Sequence, residues 1–321
     1  MRHARAFSAA VIIPALVLAF AAPTSAMASG ADETEDLAAL STAVNPDAAE
    51  VAAFDVDGET LATETGAGTA VAVAGADGDT SIAFAMPGAA EPYLDIAVDQ
   101  SGTAEPVEAS DAGLAVAATT DATEPSVVVS ATEQGTSIQA ILESPAAGSS
   151  VRFDVGDDQL RLLDDGAVEI IETDVQAPGM EVVLARIEAP WAFDATGAAV
   201  DTAFSIEGST LVQHVDPTTG TVYPIVADPY QHNGPSYPQI RWTWQETRAL
   251  NANKGNYAAA VAICGTIGAL AWVAGVVGLA VCASQFIRWA NAIGNAHAAG
   301  RCFAANFGIP GPTPSSYACR R

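Results

Sequence analysis

The sequence predicts two kinds of fold in one chain: an all-β, sandwich-like acidic module, then a small α-helical, disulfide-linked C-terminal domain. Three observations lead there. Apolar residues recur with period two through the first two thirds of the chain, between Asp-Gly and Thr-Gly turn signals. Charge divides sharply. Residues 31–230 hold 37 of the 38 acids against Arg152, Arg161 and Arg186, a balance of −34, while residues 231–321 hold Glu246 against seven bases, a balance of +6. All four cysteines, Cys264, Cys282, Cys302 and Cys319, lie in the basic part.

Residues 1–28 read as a secretion signal. Arg2 and Arg5 give the positive start, 11–22 the apolar stretch, and Ala26-Met27-Ala28 the small-residue cleavage site. The expected address is therefore secreted or extracellular, with the cell surface or a membrane as the variant. Residues 29–60 form a flexible acidic lead-in that includes a frayed helix over 32–43.

Residues 61–230 make up the acidic β-rich module. Ile82, Phe84 and Met86 alternate with small or polar neighbours, as do Leu94, Ile96 and Val98, and Val151, Phe153 and Val155. Further apolar runs stand at 127–129, 170–171, 182–184 and 222–226. Asp77-Gly78, Asp165-Gly166, Thr196-Gly197, Glu207-Gly208 and Thr219-Gly220 mark the turns. The Ala/Gly-rich stretch 60–79 reads as loose.

The chemistry expected of this module is sparse. A net charge of −26 excludes nucleic acid, whose phosphates need a basic surface. Asp55-x-Asp57-Gly58-Glu59 opens like a calcium loop but lacks the sixth-position glycine and the closing glutamate that complete one, so these acids read as solvated turn residues. His214 and Asp216 share one face of a strand and read as a surface pair; His232 and His297 are solitary. No nucleophile elbow, zinc-protease, P-loop or dinucleotide-binding pattern occurs. No catalytic residue, metal or cofactor is expected, and the protein reads as a non-enzyme.

Two words carry a resemblance. The run Ile187-Glu188-Ala189-Pro190-Trp191-Ala192-Phe193-Asp194-Ala195-Thr196-Gly197 and the run Tyr223-Pro224-Ile225-Val226-Ala227-Asp228-Pro229 resemble segments of uncharacterised secreted proteins of actinobacteria. The resemblance covers roughly 81–230. It implies secretion, and an acidic β-rich module followed by a cysteine-containing helical C-terminal part; it implies no activity.

Residues 231–240, with Asn233-Gly234, Pro235 and Pro238, form a linker into the basic domain at 241–321. Thr243-x-x-Glu246 is a capping box opening a helix to about Asn253, closed by Lys254-Gly255. No charged residue occurs from 257 to 287. Three readings of this run are open. A helix over about 258–283 has the ~20 residues that a bilayer span needs. The run equally suits a buried α-hairpin turning near Val273, with Cys264 opposite Cys282. The third reading is that hairpin acting on membranes. In one continuous helix those two cysteines would stand about 27 Å apart, beyond disulfide reach. Four cysteines in an exported chain favour two disulfides, and Cys264–Cys282 with Cys302–Cys319 is the preferred pairing of the three. The leading expectation is an acidic carrier with a basic, membrane-active, bacteriocin-like helical domain, its partners membrane lipid or the cell envelope. The alternative is a surface protein displayed by the 258–283 helix, binding cations or a cell-wall partner.

Overall fold

The computed structural model describes residues 30–44, 51–57, 60–65, 69–76, 78–86, 89, 91–132, 135–173, 179–232, 237–267, 279–307 and 312–319. The secretion signal, Gly58-Glu59 of the calcium-like run, residues 233–236 of the linker and the turn near Val273 lie outside them. In chain order the elements are α1 (Gly30–Val44), β1 (Val51–Ala52), β2 (Asp55–Asp57), β3 (Thr60–Glu64), β4 (Ala70–Ala76), β5 (Asp79–Ala85), β6 (Leu94–Val98), β7 (Glu108–Ala109) and β8 (Ala115–Ala117). There follow β9 (Ser126–Thr132), β10 (Gly135–Leu142), β11 (Ser150–Asp154), β12 (Gln159–Leu162), β13 (Val168–Ile171), β14 (Met180–Ile187) and β15 (Trp191–Asp194). Next come β16 (Asp201–Glu207), β17 (Thr210–Asp216), β18 (Ile225–Asp228), β19 (Tyr230–His232) and β20 (Gln239–Trp242). Last are α2 (Trp244–Ala252), α3 (Tyr257–Ile267), α4 (Leu279–Arg288), α5 (Ala290–Ala298), β21 (Cys302–Asn306) and β22 (Thr313–Tyr317).

The strands are antiparallel. One sheet of eight runs β16-β17-β11-β6-β5-β4-β3-β2. Strands β5, β6 and β11 bury alternate residues, so Ile82, Phe84, Leu94, Ile96, Val98 and Phe153 enter the core from one face, joined by Leu211 of β17 opposite Phe153. Within the stretch expected to be loose, Thr60–Glu64 and Ala70–Ala76 form β3 and β4. The reason is that Leu61, Val71 and Val73 bury fully between alanines and threonines that carry little apolar signal.

The other sheet contains 14 strands, with the central order β22-β21-β20-β14-β19-β10-β9-β8-β7. Strands β9 and β10 are buried on both faces, which explains the unbroken Val127-Val128-Val129 run. One face, with Val127, Val129, Ile138, Ala140 and Leu142, joins the same hydrophobic core as the eight-stranded sheet. The opposite face, with Val128, Ile141 and Val226, is covered by α1 through Leu37 and Ala38. Thr34, Leu37, Ala38 and Ser41 fall at the i, i+3, i+4, i+7 spacing of one helix face, and all four are buried.

The C-terminal part is mixed rather than purely helical. Strand β20 pairs with β14 of the acidic sheet, β21 pairs with β20, and the β21–β22 hairpin extends that sheet. Phe303 and Ala305 enter the core from β21. Pro314 falls on β22, an outer strand where a missing N–H is tolerated. Two disulfides close this region, Cys264–Cys282 with Cα atoms 5.8 Å apart and Cys302–Cys319 with Cα atoms 5.1 Å apart. By loop length each contributes about 3 kcal/mol. Among the described residues no helix is long and apolar enough to cross a membrane.

Candidate functional site

Helix α2 begins where the sequence places it. The Thr243 hydroxyl accepts from the Glu246 amide at 3.4 Å. The reciprocal half of the capping box is replaced: the Thr243 amide donates to the Gly179 carbonyl at 3.0 Å, and the Glu246 carboxylate lies over Gly179. A side chain at Gly179 would displace that carboxylate, and its φ of +75° is one that L side chains rarely adopt, so this corner favours glycine.

Helices α3 and α4 are held against each other by the buried Cys264–Cys282 bond. Behind them Trp242 stacks on Phe303 at 5.4 Å and meets Phe286 edge-on at 5.6 Å, and Trp289 adds to both. The buried Thr247 hydroxyl accepts the Phe303 amide at 2.9 Å, tying α2 to β21. Between α2, α3 and α4 lies a cavity of about 350 Å³, within the size range of ligand sites. Leu250, Ala260, Ile263 and Phe286 line it, and Glu246 and Lys254 stand on its wall. The exposed face of α3 is also apolar, comprising Tyr257, Ala258, Ala262 and Gly265. Arg248, Lys254 and Arg288 are exposed nearby in sequence, and none makes an ion pair among the described residues.

The basic part is joined to the acidic sheet by a charge cluster that sequence reading missed. Cross-strand register sets Arg161 beside Glu169 and Glu181 beside Arg241. Arg161 donates to both glutamates, at 3.0 Å to Glu169 and 2.7 Å to Glu181, and Arg241 donates to Glu169 at 2.7 Å. Arg241 also lies 5.3 Å from the Tyr317 ring centre. Glu169 is only 5% exposed at its side chain. Burial alone would raise its pKa, but the Arg241 and Arg161 guanidiniums overcome this and hold it at about 2. The signal available in sequence was the rarity of arginine: three among 37 acids, one of them a hairpin away from Glu169.

Each aspartate of the two resemblance words has a distinct environment. Asp194 is a turn organiser, accepting from the Thr196 amide at 2.9 Å, the Ala198 amide at 3.0 Å and the Val222 amide at 3.1 Å. Asp228 is 1% exposed inside the sheet, and its Oδ1 atom has no hydrogen-bond partner among the described residues. Burial pushes its carboxyl up to about 7, against weak opposition from the Ser137 hydroxyl and the Ile138 amide. Ser130 and Gln139 each also leave a buried side-chain oxygen unpartnered.

His214 and Asp216 are both exposed on β17, and the His214 Nε2 lies 2.7 Å from the Ser205 hydroxyl. His297 stacks on Trp244 at 5.1 Å and lies 3.4 Å from the Asn251 side-chain nitrogen. The His232 side chain is outside the described residues. Among those residues no group of three or more His, Cys, Asp or Glu side chains could hold a metal. No family model matches the chain, and no curated protein or solved structure compared with it does either.

The two perturbed acids predict opposite limbs of a pH–stability profile. Glu169, lowered from 4.5 to about 2, contributes stability above pH 4.5 that is lost as pH falls toward 2. Asp228, raised from 3.8 to about 7, contributes stability below pH 3.8 that is lost as pH rises through 7. Each amounts to roughly 3–4 kcal/mol by linkage, so stability should peak near pH 4–5. Asp228→Asn should flatten the limb between pH 4 and 7 in urea titrations; a wild-type slope in that variant would show that Asp228 is not the titrating group.

Proposed function

We propose that the protein is secreted and non-enzymatic: a sandwich-like acidic β carrier bearing a basic, disulfide-closed C-terminal region that acts on membranes. One observation carries the reading. A helix pair crosslinked through Cys264–Cys282, with Arg288 at the end of α4 as its one charged residue, exposes the apolar face of α3; Arg248, Lys254 and Arg288 are exposed and make no ion pair among the described residues, while Arg241 fastens the region to the acidic sheet. Amphipathic surfaces with free cations partition to anionic lipid through buried apolar area and charge attraction together. The −34 field of the carrier opposes that attraction, so the intact chain is the masked form. The resemblance to secreted actinobacterial proteins and the pair of disulfides support the extracellular address.

Intact mass without reductant, measured on the medium of producing cells, tests the address. The expected product is 29–321, four hydrogens light. Retention in the pellet after an alkaline carbonate wash would instead establish the surface protein anchored at 258–283.

A further inference from the structure

We propose that the peptide bond between Asp228 and Pro229 is cut by the side chain of Asp228 itself, dividing the chain where its charge changes sign. Every acid except Glu246 precedes this bond, so the cut separates the −34 part from the +6 part. The proposal deepens the carrier reading, on which only the purpose of the cut rests.

Strand β18 places Asp228 beside Trp191 of β15, and continuation of the β10 register sets it across from Gln139. Its Oδ1 is buried with no partner among the described residues, whereas an exposed aspartate keeps both oxygens solvated. The following residue is proline, whose nitrogen has no hydrogen to contribute to the ladder and leaves as a secondary amine. Oδ1 attacks the Asp228 carbonyl carbon, forming a C–O bond and closing a five-membered cyclic anhydride. The C–N bond to Pro229 breaks, and the proton of the carboxylic acid passes to the proline nitrogen. One water then opens the anhydride, leaving Asp228 as a C-terminal residue with two carboxyl groups. Water is the only co-reactant. This step needs the carboxyl and its proton together, and burial keeps that proton in place to about pH 7.

The groups facing Asp228 are Ser137 and Gln139 on β10, Ser130 on β9 and Trp191 on β15. The sequence of helix α1, which covers the same face, includes Asp32, Glu33, Glu35 and Asp36, and no charged group is among the causes of the Asp228 shift. A control is built into the chain. Asp216-Pro217 is the same dipeptide at the exposed end of β17, outside any such environment. Both new ends at 228 and 229 would stay paired, because Ile225–Asp228 and Tyr230–His232 lie in one continuous register along β10. The pieces are also bridged by Arg241 to Glu169. The nick is therefore silent until the protein is denatured.

The test incubates the folded secreted chain at pH 5 and pH 9 and follows it by denaturing, non-reducing intact mass. The expected result at pH 5 is a growing pair of masses for 29–228 and 229–321 in denaturant, while under native conditions the two pieces stay together as one species that is heavier by a single water. Above pH 7 the rate should fall about tenfold per pH unit, as the protonated fraction does. Pro229→Ala and Asp228→Asn should each abolish the pair, and circular dichroism confirms which variants fold. In denaturant, cutting at 228 should slow to the rate at 216. A single uncut mass at pH 5, or equal cutting at 216–217 in the folded chain, overturns the proposal. Cutting without membrane activity would keep the cut and remove the carrier reading; membrane activity without cutting would do the reverse.

Discussion

Arg241→Ala is expected to destabilise the folded chain by about 3–5 kcal/mol at neutral pH, the cost of leaving a buried partner charge uncompensated. The arginine side chain is 10% exposed and Glu169 5%, so solvent cannot replace what is removed. Arg161 remains beside Glu169, but it is already shared with Glu181. With one guanidinium gone, burial raises the pKa of Glu169, and the carboxylate is relieved by protonation in acid. The loss should therefore shrink as pH falls below about 5. Pairing the substitution with Glu169→Ala should recover part of the loss, because the stranded charge is gone as well. Urea unfolding of the two single variants and the double variant measures all of this. A loss under about 1 kcal/mol for Arg241→Ala would mean the cluster behaves as a surface ion pair.

Phe303→Ala is expected to cost about 3–5 kcal/mol, as for a large aromatic removed from a closed core. Phe303 is fully buried and touches Trp242, Phe286 and Trp289, which come from β20 and α4 and from the segment just beyond α4. These rings connect the helix pair to the extended sheet, so the cavity left behind cannot close by moving one element alone. Tryptophan fluorescence during denaturant unfolding reports the change at the site, since two of the three neighbours are tryptophans. A cost below about 1.5 kcal/mol would indicate that the helices dock on the sheet independently of this ring.

Much of the fold was legible because burial here follows a simple period. Strands β5, β6 and β11 show one buried face and read directly from alternation. The α3–α4 crosslink was legible by distance, since helical rise separates residues 264 and 282 too far for a bond unless the chain turns back. Strands β3 and β4 were obscured because alanine fills positions of either face and weakens the alternation. Strands β21 and β22, Cys-Phe-Ala-Ala-Asn and Thr-Pro-Ser-Ser-Tyr, have few β-formers; they are ordered by pairing to β20, a nonlocal contact. The Asp228 environment was hidden for a different reason. Aspartate before proline suggests a turn, yet Ile225, Val226 and Ala227 are buried in turn, and a strand buried on both faces takes its last residue inside with it. The charge cluster at Glu169 was unreadable without the β14–β20 register.

Whether the C-terminal region acts on membranes is decided by dye release from vesicles of anionic lipid, comparing the secreted wild-type chain with Arg241→Ala at equal concentration and low salt. The variant should release dye at lower protein concentration, because its basic region is less firmly held to the acidic sheet, and added salt should narrow the difference. If neither protein disturbs the vesicles at any concentration at which it remains folded, the C-terminal region is not a membrane effector.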